Sequence, residues 1–320
     1  MATGDMAQVD AIIRERMQSP VGMIPDLAEH LVGAGGKRLR PLLTIASAHL
    51  CGYQGEHHYK LAAAVEFIHS ATLLHDDVVD RSAKRRGRKA ANLIWGNGPS
   101  ILVGDFLFAR AFNLMVETNS LKALGILSTA SSIIAEGEVQ QLAGLRDVKM
   151  SKQTYMQVIG AKTAVLFAAA AEVAPVLAGS TAKQRHALKT YGQELGLAFQ
   201  LVDDALDYGG FEAKLGKSVG DDFREGKMTL PVIIAYANAV KNNDKNALVF
   251  WHRVIEKLEQ TDADLQSAIK LLRKENALDV TLDAARNHIK TAKTALDVFD
   301  GSEWKTALIR LADFVVARVS

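Results

Sequence analysis

The chain has one cysteine, six prolines, almost no net charge and no uninterrupted apolar run of membrane-spanning length, and each scarcity excludes something. Cys51 alone cannot build an internal disulfide framework, and it fits a reducing cytoplasm. A net charge of +2, from 38 basic against 36 acidic residues, gives no global field for nucleic acid, so any anion site has to be local. The longest apolar run, VLFAAAAEVAPVLAG (165–179), is broken by Glu172 and Pro175 and falls short of the roughly 18 residues a spanning helix needs. The first residues, MATGDMAQVDAIIRERMQS, lack the basic, then apolar, then small-residue layout of a signal peptide. The expectation is a soluble, cytoplasmic protein with no transmembrane segment and no nucleic-acid partner.

What is present is helix. Between the prolines at 20, 25, 41, 99, 175 and 231 lie long segments of Ala, Leu, Glu, Lys and Gln, the strong helix formers. In YKLAAAVEFIHSATLLHDD the apolar positions Leu61, Val65, Ile68 and Leu73 repeat at core-facing spacing. Neither an alternating run with hairpin turns nor a Gly-rich βαβ fingerprint is found. No linker, low-complexity tract or repeat divides the chain, so the reading is a single all-α domain over residues 1–320, a large helical bundle. Segments 161–178 and 195–206 are apolar on more than one side and belong in its middle, with Ala168, Ala169 and Ala170 permitting close approach.

Two acidic motifs carry the chemistry. In HDDVVD, Asp76 and Asp80 project together from one helix face, with Asp77 about 100° around. Like charges stacked this way cost roughly 0.2–0.5 kcal/mol even when exposed, and a divalent cation with hard oxygen ligands removes the penalty. A fraying helix end explains one such motif equally well. FQLVDDALD repeats the pattern with Asp203, Asp204 and Asp207, again after an apolar helical run. Two matching triads suggest two helices facing each other across a shared metal cluster, with substrate phosphates completing the coordination.

Basic residues accompany the acidic ones. GAGGKRLRP (33–41) offers Lys37, Arg38 and Arg40 beside a glycine turn that includes Gly36, Arg85 and Arg86 follow the first triad, and Lys217 and Lys227 lie just beyond the second. Solvated surface charge explains any single cluster. Three together, two of them directly after the acidic motifs, favour diphosphate, which arginine grips with a fork and lysine meets as a point charge.

GGKRLRP, HDDVVDRSAKRRG, GKTA, FQLVDDALD and GKSVGDDFREGKMTLP stand in the order and spacing of the trans-type polyprenyl diphosphate synthases, which the chain resembles from about residue 33 to 231. The resemblance implies an isoprenoid synthase-like bundle around a deep central cavity, usually a homodimer, that adds isopentenyl diphosphate head-to-tail to an allylic primer such as farnesyl or geranylgeranyl diphosphate. It implies Mg²⁺, three ions with substrate bound, held on the allylic diphosphate by Asp76, Asp77, Asp80, Asp203, Asp204 and Asp207. Lys37, Arg40, His69 and Arg86 match its isopentenyl diphosphate site, with Gly36 in the same loop. Arg85, Lys162, Thr163, Gln200, Lys217 and Lys227 match the allylic side. No protein base stands out, and in this family the released diphosphate is the favoured proton acceptor.

Product length has its own residues. Ala71 lies five residues before Asp76, about 7.5 Å down the helix, with Thr72 beside it. Short-chain members commonly carry a bulky aromatic at that level, so Ala71 implies a product longer than geranylgeranyl, octaprenyl to decaprenyl diphosphate for a quinone side chain. Phe108, Phe112 and Met115 fit either a deeper wall of the cavity or ordinary core packing.

Overall fold

Helix formation follows the apolar spacing, but burial goes further than one face. In the computed structural model, which describes residues 2–33, 36–85, 87–209 and 220–318, helix α4 (His57–Val79) buries Leu61, Val65 and Ile68 completely, and Ala62, Ala63 and Ala64 as well. It is a central helix, enclosed on several sides. The expected core position Leu73 is half-exposed, and Leu74 takes its place as the helical period drifts.

The chain forms two compact units. The first comprises Met1–Ser132, Leu166–Gly192 and Ala295–Ile309. Around α4 it packs α1 (Thr3–Arg16), α3 (Leu39–Leu50) and, most extensively, α6 (Asn97–Val116). Gly104 leaves room for the His75 ring of α4: a Cβ there would lie 2.3 Å from its Nε2. The short helices α2 (Met23–Val32) and α5 (Ala91–Trp95) pack against each other and against α6. The basic stretch after the first acidic motif pairs two residues with two, Lys84 with Lys89 and Arg85 with Arg88, antiparallel. No hairpin is expected from the sequence there, because strands of two residues are too short to show an alternating period.

The second unit comprises Ile133–Val165, Gln193–Thr294 and Arg310–Ser320. Helix α7 (Leu121–Ala143) enters it, and α8 (Lys152–Ile159) starts where the Ser151 hydroxyl accepts the Thr154 N–H. A π-turn, Gly160–Ala164, follows and leads into α9 (Val165–Leu177). Helix α10 (Ala182–Gly209) carries the second acidic motif near its end. After α11 (Asp221–Arg224), α12 (Leu230–Lys241) packs on α8, α13 (Lys245–Trp251) and α14 (Asp264–Lys274), and Trp251 is fully buried. Helices α15 (Ala277–Ala295) and α16 (Glu303–Ala317) complete the chain.

Among the described residues, two helical stretches are long and apolar enough to cross a membrane, more than the interrupted run at 165–179 predicts: Asn97–Val116, of whose apolar window 39% is buried, and Lys152–Leu177, at 72%. The second has the burial of a core helix. The first carries Asp105 and Arg110 and exposes Leu102 at 68%, and Leu121 at the start of α7 is exposed at 86%.

Candidate active site

In the first unit, the acidic motif closes α4. Asp76 and Asp80 are half-exposed, while Asp77, rotated away from them, is completely buried. Arg85, brought back by the small hairpin, donates from Nε (2.9 Å) and from a terminal nitrogen (2.5 Å) to Oδ1 of Asp77. Burial works against the guanidinium charge, yet Asp77 foremost, with Asp76 and Asp80, outweighs it and holds Arg85 above its ordinary value. The other Asp77 oxygen, Oδ2, is buried without a hydrogen-bond partner. An orphaned buried carboxylate oxygen beside two half-exposed aspartates is a donor set that fits a hard divalent cation.

The same unit separates the cations of GGKRLRP. Arg38, a left-handed residue at φ 48°, turns inward and meets the buried Glu66 at 2.5 Å. Its part is structural. Gly36 and Lys37 are exposed, and Arg40 lies over the Phe167 ring at 4.3 Å, its guanidinium oriented by the aromatic face. His69 is half-buried on α4, and its carbonyl accepts the Thr72 hydroxyl at 2.9 Å. Ala71 is fully buried. Among the alternatives left for α6, Met115 is fully buried, and the Phe108 and Phe112 rings meet tilted, at 39° and 5.8 Å.

In the second unit, five predicted residues line one cavity: Lys162, Thr163, Gln200, Asp204 and Lys227. The π-turn presents two of them. An extra residue in one helical turn widens it and re-aims its side chains, a device frequent at functional sites. It requires a close neighbour without a side chain: a Cβ on Gly137 would lie 2.8 Å from Cβ of Ala161 and 3.0 Å from the Lys162 nitrogen. Lys162 Nζ donates to Glu138 at 2.7 Å. Thr163 donates to Gln200 (2.9 Å), Gln200 donates to Asp204 Oδ1 (2.7 Å), and the Tyr155 hydroxyl donates to Asp204 Oδ2 (2.5 Å). Thr163 and Gln200 therefore brace the second acidic motif. Burial, then the charge of Asp222, pushes the Asp204 carboxyl up to about 7, against the hydrogen bonds from Tyr155 and Gln200. Carboxylates crowded in this way again fit a divalent cation.

The three aspartates of that motif divide their work. Asp203 faces Arg318 at 3.6 Å, and that guanidinium also sits over Phe199. Asp207 accepts the backbone N–H groups of Asp221 and Asp222, both at 3.1 Å, and so fixes the start of α11. Lys227 pairs with Glu225 and lies 3.8 Å from Asp222. Arg86 and Lys217 lie outside the described residues.

Sequence reasoning missed Tyr155, Asp222, Glu138 and Arg318. Asp222 stands in the quoted motif GDDFREGK, where a second acidic pair was a readable signal. Tyr155 and Arg318 are far in sequence from the groups they meet and carry no local pattern.

A family model described as polyprenyl synthetase matches residues 22–272. The chain is 42% identical over 316 residues to an octaprenyl diphosphate synthase of Escherichia coli, covering 98% of this chain and 96% of that one. A polyprenyl synthase of Caulobacter crescentus, solved in complex with calcium and isoprenyl diphosphate, is 57% identical with a TM-score of 0.95, covering 100% of this chain and 96% of that one. A decaprenyl diphosphate synthase structure from Rhodobacter capsulatus is 51% identical, TM-score 0.93, covering 100% and 97%.

Proposed function

The chain belongs to the polyprenyl synthetase family, prenyltransferases that extend an allylic diphosphate with isopentenyl diphosphate in all-trans geometry and use divalent metal, and on that premise we propose that it makes octaprenyl to decaprenyl diphosphate. The observation that carries the site assignment is the convergence of Lys162, Thr163, Gln200, Asp204 and Lys227 on one cavity. Relatives that make octaprenyl and decaprenyl diphosphate, together with alanine at position 71, support the product range. The reading includes farnesyl or geranylgeranyl diphosphate as primer, three Mg²⁺ ions, one catalytic domain over 1–320, and a quinone side chain, such as that of ubiquinone, as the product's destination. It also includes a homodimer, consistent with the exposed leucines Leu102 and Leu121, and a cytoplasmic location, supported by the single cysteine.

The allylic carbon–oxygen bond breaks and its electron pair leaves with the diphosphate. Bound Mg²⁺ supplies Lewis-acid neutralisation of the charge that grows there. Asp76 and Asp80 hold metal from one face of α4, and Asp77 fixes Arg85 with its charge maintained. Asp203 and Asp204 hold metal from α10, with Asp204 braced by Tyr155 and Gln200. Lys162, Lys227, Lys217 and Arg85 supply preplaced positive charge to the departing group, the kind of interaction that lowers such barriers most. Lys37, Arg40, His69 and Arg86 hold isopentenyl diphosphate, whose double bond attacks the allylic carbon to form the new carbon–carbon bond. Apolar helix surfaces keep water from the cation. The new chain loses a proton to the released diphosphate, and Ala71 leaves room for it to grow.

The test is incubation with Mg²⁺, farnesyl diphosphate and labelled isopentenyl diphosphate, with products resolved by chromatography. Chains of eight to ten isoprene units are expected. A hydrocarbon product, or no elongation, would overturn the reading.

A further inference from the structure

Helices α1, α3 and α4 meet at a cluster that the prenyl transfer does not use. Asp5, His49 and His58, one residue from each helix, place a carboxylate oxygen and two ring nitrogens within 4.8 Å of one another. Asp5 and His49 are half-buried, which leaves an approach from solvent, while His58 is 1% exposed. Both ring nitrogens of His58 are buried without a hydrogen-bond partner, and so is Nε2 of His49. Two imidazoles left unsatisfied at one point cost more than an ordinary core tolerates, because a buried polar atom without a partner loses its solvation outright.

One pair of donors already stands at ligand spacing. His49 Nε2 and Asp5 Oδ2 stand 3.4 Å apart, longer than a normal N–H···O bond. Ligands about 2.0–2.1 Å from a tetrahedral Zn²⁺ are separated by about 3.3–3.4 Å. Supporting contacts fix the rings and the carboxylate. Trp304 stacks on His49 at 4.4 Å and 11°, the His49 and His58 rings meet edge-on at 5.4 Å, and the Tyr59 hydroxyl donates to Asp5 Oδ1 at 2.8 Å. That leaves Oδ2 of Asp5 for the cluster, the outer hydrogen bond that ligating carboxylates usually have.

We propose that Asp5, His49 and His58 bind one Zn²⁺, with water in the fourth position, and that the ion clasps α1 to α3 and α4. Two imidazoles and a carboxylate suit zinc, whereas the all-oxygen aspartate motifs suit magnesium, so the two kinds of site select different ions. Cys51 is close in sequence, but its sulfur is not among the converging donor atoms.

The experiment uses the full-length, untagged chain stripped of metal and held in excess Mg²⁺, titrated with Co²⁺ as a coloured surrogate and then with Zn²⁺. One Co²⁺ per chain is expected, with the intense visible bands of a four-coordinate ion, displaced by one Zn²⁺. His49→Gln and His58→Gln should each abolish the bands, Asp76→Asn and Cys51→Ser should retain them, and Tyr59→Phe should weaken binding about 10- to 100-fold. Should His58→Gln fail to fold, the half-exposed His49→Gln decides. Absence of stoichiometric binding, bands that persist in a folded His49→Gln, or bands lost in Asp76→Asn would each overturn the proposal.

Discussion

Adding one methyl group at Gly137 should damage catalysis far more than stability. The new Cβ would meet Cβ of Ala161 at 2.8 Å and the Lys162 nitrogen at 3.0 Å, where ordinary carbon contacts begin at about 3.5 Å. Neither obstacle is the end of a flexible side chain. The π-turn and α7 therefore have to part by roughly 0.5–1 Å to regain normal contact. Overpacking of this kind costs about 1–3 kcal/mol. Alanine recovers about 1 kcal/mol over glycine in a helix interior, so the net loss is about 0–2 kcal/mol and the melting temperature falls by a few degrees at most. Lys162 moves with the turn, and a misplacement of about 1 Å can cost on the order of 10²-fold in rate. Gly125 lies on the same helix with nothing within 4 Å of its would-be Cβ, so Gly125→Ala is the control and should be neutral or slightly stabilising. Thermal melts and kcat for isopentenyl transfer, measured on both variants, decide. Wild-type turnover in Gly137→Ala, or an equal loss in Gly125→Ala, would refute the reasoning.

Removing a metal-facing carboxylate, Asp76→Ala or Asp203→Ala, should lower kcat by about 10²–10³, as loss of a preplaced electrostatic group does, and near-normal rates at saturating Mg²⁺ would contradict those assignments. Ala71→Phe should shorten the product while elongation continues, read by chromatography of the dephosphorylated chains. With chelator present, Asp204 should set a pH dependence of stability. Its folded-state carboxyl titrates at about 7 against about 3.9 in the unfolded chain, so its contribution is at its best below about pH 4 and declines as pH rises through 7. The urea midpoint should therefore drop less from pH 5 to pH 8 in Asp204→Asn than in the unaltered chain.

The parts legible in the sequence were those that obey a helical period. The i, i+1, i+4 spacing predicts that Asp76 and Asp80 share a face and that Asp77 turns away, and the burial of Asp77 alone agrees. The apolar excess of 161–178 predicts an enclosed helix, and Leu166 to Ala171 are all buried. The π-turn was not legible, because one extra residue leaves the composition of GAKTA unchanged while altering where Lys162 points. Nor was the fate of Arg38, whose partner Glu66 sits 28 residues away on another helix. In GGKRLRP nothing distinguishes the arginine that folds inward from the cations left for a ligand.

Asp207 gives the chain a fixed doorframe. Its backbone carbonyl accepts the N–H of Gly220 at 2.9 Å, and its carboxylate accepts those of Asp221 and Asp222. The chain leaving α10 and the chain entering α11 are thereby tied at one residue, whatever joins them. An aspartate first picked out as a metal ligand thus also serves as the joint that sets where Asp222 stands.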